Sequence, residues 1–108
     1  MREMIYTQSH PTLGELKGVL RIVGKILFYK FNNKEQSMQI ISQLQSRGAK
    51  IQTGKEWIMV DMFADRDLVK LGSKEFNPQT TSPEEVEGIL FDFYYNQFTK
   101  MKFKVEII

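Results

Sequence analysis

The spacing of apolar residues changes several times along this chain, and each change marks an element. Val19 to Val23 and Ile26 to Phe31 are β-like runs about Gly24-Lys25, read as a hairpin or as one long bent strand. From Lys34 to Arg47 the period lengthens, and Met38, Ile41 and Leu44, with Ile40 and Gln45 beside them, make one helical stripe. Asn33 is placed to cap this helix, with Gln36 three residues on to return the bond. Arg47-Gly48 then supplies a cationic last turn and the residue best able to take a left-handed cap. Ala49 to Thr53 and Trp57 to Phe63 follow as a hairpin about Gly54-Lys55, with Ile51, Ile58, Val60 and Met62 as its strand-like apolar positions.

Residues 64–81 are polar and turn-rich, with a helical turn expected over Asp65 to Leu71. Ser82-Pro83-Glu84-Glu85 opens a second helix: Ser caps, Pro takes the first position, and Glu lies near the positive helix end. It continues to about Met101 with two apolar rows. Val86, Ile89, Leu90, Phe93 and Gln97 form one; Phe91, Tyr94, Tyr95 and Phe98 form the other. Finally Phe103, Val105 and Ile107 alternate with Lys104 and Glu106, as in a strand with one wet face.

From Val19 to Ile108 the order is therefore βαββαβ. That is the split βαβ plan, and the expected fold is α+β, a two-layer ferredoxin-like sandwich. Residues 1–18 are expected as an irregular N-terminal extension to a single domain over 19–108. Met4 to Thr7 could form a short strand there, and Thr12 to Glu15 has capping-box spacing, but Gly14 and Gly18 weaken any helix that follows. On this plan two helices cover one sheet face and the other stays free.

Composition narrows the chemistry. The 108 residues are 42% apolar and 26% charged, which suits one globular domain. Without cysteine there are no disulfides, zinc thiolates or cysteine nucleophiles, and the single His10 cannot build a multi-histidine metal site. The first residues have no continuous apolar core of a signal peptide, and Arg21, Lys25 and Lys30 interrupt the most apolar stretch, so a cytoplasmic setting without membrane association is expected. The net charge of +2 is unevenly spread. Lysines and Arg21 dominate Gly14 to Lys34, carboxylates dominate Glu56 to Asp67, and the C-terminal stretch is basic again.

Few constellations could carry chemistry. Gly54-Lys55 lacks the first glycine at the right distance and the Ser/Thr of a phosphate loop. Asp61, Asp65 and Asp67 are weak candidates for a hard cation, since Asp65-Arg66-Asp67 lacks the glycine and later glutamate of an EF-hand. No acid–base or nucleophilic set is present, so neither an enzyme nor a cofactor is expected.

Two surfaces remain. With Ile58, Val60 and Met62 turned to the helices, Trp57, Met59, Asp61 and Phe63 point to the free face; Phe28 and Lys30 join them from the preceding strand, and Lys104 and Glu106 from the last. The row Phe91, Tyr94, Tyr95 and Phe98 on the last helix is the second surface. The leading expectation is a small non-enzymatic protein-interaction module, a regulator or inhibitor such as a phage or mobile element carries, that forms a homodimer and binds through Phe28, Trp57, Met59, Phe63, Phe91, Tyr95 and Phe98. The alternative is single-stranded nucleic acid, held by Lys17, Arg21, Lys25, Lys30 and Lys104 with bases stacked on Phe28 and Trp57. Lys55 to Met62 lacks the glycine and small residue of the RNA-recognition motif, however. A small-molecule regulatory domain is a third expectation, with no ligand clamp to support it.

Overall fold

The computed structural model describes residues 1–108. Its elements run β1 (Arg2–His10), β2 (Gly14–Val23), β3 (Ile26–Phe31), α1 (Lys34–Ser46), β4 (Lys50–Thr53), β5 (Ile58–Asp61), β6 (Val69–Leu71), β7 (Lys74–Phe76), α2 (Pro83–Lys100) and β8 (Lys104–Ile107). Six strands form one antiparallel sheet in the order β4-β5-β3-β2-β1-β8, and β6 and β7 pair separately. The fold is α+β, with two helices on one face of a mostly antiparallel sheet.

The local signals act where they occur in the sequence. Asn33 accepts the Gln36 N–H at the start of α1, Ser82 accepts the Glu85 N–H at the start of α2, and Pro83 fills the first helical position. Gly24 and Gly48 have φ of 58° and 85°, which places them in the left-handed region needed for the β2–β3 turn and the end of α1. On α1 only Gln36 and Leu44 are buried, and Met38, assigned to the apolar stripe, is exposed.

The sheet order departs from the simple ferredoxin-like plan. β3-α1-β4 is a parallel crossover with β5 inserted between its strands. The second crossover, β5-α2-β8, spans β3, β2 and β1 instead of one strand. The cause is the N-terminal segment, which is regular rather than irregular. β1 pairs with β2 from Arg2↔Ile22 to His10↔Gly14, and with β8 from Met4↔Ile107 to Thr7↔Lys104. The β1–β2 hairpin is thus wedged into the sheet, where its alternation of Met4, Tyr6, Leu16, Leu20 and Ile22 faces the helices.

Residues 65–71 likewise hold no helical turn. Gly72, at φ 60°, turns β6 into β7, and that hairpin brings Val69 and Phe76 into the core. α1 packs on β3 and β4, and α2 on β1, β2 and β8. One core joins them: Leu20, Ile22, Leu27 and Val60 from the sheet, Leu44 from α1, Val86 and Leu90 from α2. No helix is long and apolar enough to cross a membrane.

Candidate functional site

Because successive residues of a strand point to opposite sides, the register of the sheet lays out its uncovered face in rows. One row runs Glu3, Arg21, Phe28, Met59, Gln52 across β1, β2, β3, β5 and β4. The next runs Glu106, Ile5, Val19, Lys30, and a third Lys104, Thr7, Lys17. The centre of the face is therefore apolar, with Ile5, Val19, Phe28 and Met59 each half-buried though no element lies over them. Cations and carboxylates alternate around it.

Trp57, just before β5, lies among these rows. The Arg21 guanidinium carbon is 4.6 Å from the centre of its ring and the Lys30 ammonium 5.6 Å. Arg21 also donates through Nε to Glu3 Oε2 at 2.7 Å, and Lys30 lies 3.9 Å from Glu56. The indole is thus flanked by two cations, each with a carboxylate partner. A ring held in this way presents fixed, amphipathic contact area at little cost in side-chain entropy.

Phe28, Trp57 and Met59 share this face with Lys17, Arg21, Lys30 and Lys104. Lys25 does not; it sits in the β2–β3 turn and donates to Gln79 Oε1. Phe63 is buried, contrary to its expected outward position. β5 ends at Asp61, whose carboxylate accepts the N–H groups of Phe63 and Ala64, and the chain turns Phe63 inward against Phe76.

The second expected surface is also largely core. Phe98 stacks on Tyr6 with ring centres 4.1 Å apart, Phe91 is buried beneath the Arg2 guanidinium, and of the four only Tyr95 is exposed. Asp61, Asp65 and Asp67 build no metal site: no group of three His, Cys, Asp or Glu side chains is placed to hold an ion, and exposed Asp65 faces Lys50. Open grooves of about 480 Å³ beside α2 and about 520 Å³ beside α1 are lined mostly by non-hydrophobic residues.

Glu3, Ile5 and Val19 belong to the face although sequence reasoning did not select them. For Glu3 and Ile5 the signal was the alternation of Glu3, Ile5 and Thr7 with Met4 and Tyr6, which marks a strand with two different sides. Comparison with protein-family models, curated proteins and solved structures returned no match.

Proposed function

We propose that this protein is a small non-enzymatic interaction module, working in the cytoplasm, that captures a partner protein on the open face of its sheet and self-associates. The observation that carries the reading is the apolar centre of that face, Ile5, Val19, Phe28 and Met59, beside a Trp57 ring fixed by Arg21 and Lys30. An uncovered apolar patch rimmed by charge, with an aromatic ring and an arginine packed together beside it, is the composition of a protein-binding hot spot. Mixed charge on the rim favours a partner of mixed charge over a polyanion.

The test is affinity capture with quantitative mass spectrometry, using wild type beside Trp57→Ala and Phe28→Ala. A partner recovered by wild type and lost from both folded variants supports the reading; a partner retained by both places the interface elsewhere. Arg21 and Lys30 over an indole also favour a second reading, single-stranded nucleic acid. It requires oligonucleotides to quench Trp57 fluorescence with an affinity that falls steeply as salt rises. Absence of quenching at low salt removes it.

A further inference from the structure

The sheet has two outer strands, and they differ. β4 carries exposed Lys50, Gln52 and Thr53, a polar edge of the kind that discourages pairing. β8 carries Ile107, which is 57% exposed, and Tyr95 and Met101 of α2 and its C-cap are exposed as well.

The backbone of β8 is also half unpaired. The Ile108 N–H donates to Glu3 O, so residues 104, 106 and 108 direct their polar groups to β1. By alternation, the N–H and C=O of Val105 and Ile107 point to the free edge. The Phe103 N–H is already used, donating to Phe98 O, which leaves its carbonyl as an acceptor.

We infer that β8 pairs antiparallel with β8 of a second copy of this chain, about a two-fold axis at Val105. The proposal rests on the self-association in the reading above and names the surface for it. Only registers that keep each side chain on its own side of the sheet are allowed, so the axis falls on a residue. Centred on Glu106, the strands would set two carboxylates directly against each other. Centred on Val105, they set Val105 against Val105 and Lys104 against Glu106 of the partner, twice by symmetry. Charge therefore selects the register. In it the Val105 N–H and C=O bond reciprocally, and each Ile107 N–H meets a Phe103 carbonyl across the seam. The axis is perpendicular to the sheet, so both copies keep their helices on one side, with Tyr95 and Ile107 beside the seam.

The experiment is sedimentation equilibrium of charge-reversed full chains. Lys104→Glu and Glu106→Lys each place like charges opposite one another, and each raises the dimer dissociation constant by about tenfold. The double variant K104E/E106K restores wild-type affinity, and an equimolar mixture of the two single variants forms heterodimers. Both side chains are exposed, so folding is not at risk, and circular dichroism verifies it. A dimer indifferent to all three variants overturns the β8 pairing while leaving self-association in place. A chain that is monomeric at every concentration overturns both, and leaves capture of a partner on the open face to be judged by its own test.

Discussion

The ring of Tyr6 lies directly across Gly18, its cross-strand neighbour in the β1–β2 hairpin: a Cβ on Gly18 would fall 2.3 Å from both Cζ and Oη of Tyr6. The other side of the ring is closed by Phe98, nearly parallel at 13°. Tyr6 is therefore clamped between a backbone and an aromatic face, with no room to retreat. Gly18→Ala is expected to destabilise the protein by about 3 kcal/mol, the upper range of overpacking a filled core. Urea denaturation measures it, and a loss near zero would mean that the ring is free to move.

The Tyr6 hydroxyl is buried without a hydrogen-bond partner. A polar group desolvated and left unpaired costs free energy that its removal returns. Tyr6→Phe keeps the stack on Phe98 and is expected to be neutral or to stabilise by about 1 kcal/mol, read by the same denaturation. A loss of stability would reveal a partner for the hydroxyl, such as an internal water.

This pair also shows what the sequence could and could not convey. α1, α2 and the β4–β5 hairpin are announced by residues close in the chain, such as Asn33, Gly48 and Ser82-Pro83, and their positions were legible. Gly14 and Gly18 read locally as helix breakers and made the N-terminal segment look irregular. Gly18 makes sense only with Tyr6, twelve residues away, lying over it. Strand alternation likewise put Phe28, Trp57, Met59 and Lys30 on the open face correctly, but that rule lapses where a strand ends. At Asp61 it ends in a side-chain-capped turn, so Phe63 went inward.

Phe63 and Phe28 should accordingly respond in opposite ways. Phe63→Ala empties a fully enclosed site against Phe76 and is expected to cost about 4 kcal/mol. Phe28→Ala, on a half-buried face, is expected to cost about 1 kcal/mol and to weaken partner capture instead. Thermal melts and the capture assay separate the two effects.

Glu87 ties α2 to the opposite end of the sheet. Its carboxylate accepts the Gly24 N–H at 3.0 Å and meets the terminal ammonium at 3.2 Å. Partial burial opposes ionisation, but the Gly24 bond and the ammonium outweigh it and hold the carboxyl below its usual range. A carboxyl with a lowered folded value contributes stability above its unfolded value, and the contribution is lost as pH falls through the folded one. Glu87→Gln is expected to cost about 1 kcal/mol at neutral pH, with the two stabilities converging in acid. Parallel curves at every pH would mean that the charge plays no part.

In alkali the tyrosines decide. Burial, the chief cause in each case, pushes Tyr94 up to about 12 and raises Tyr6 and Tyr29 well above the usual tyrosine value, the proximity of Tyr94 adding to the effect on Tyr29. In the unfolded chain all three ionise near 10. Between those values the native state holds protons that the unfolded state has released, so the tyrosines leave stability unchanged below about pH 9 and lower it above about pH 10. Each tyrosine contributes a slope of up to about 1.4 kcal/mol per pH unit. Three together suffice to unfold a domain of ordinary stability within a few pH units. Phenolate absorbance should rise from these three residues together with loss of the circular dichroism signal, and Tyr94→Phe should make the fall in stability shallower. Ionisation of all three while the fold persists would show that solvent reaches the space between the sheet and α2.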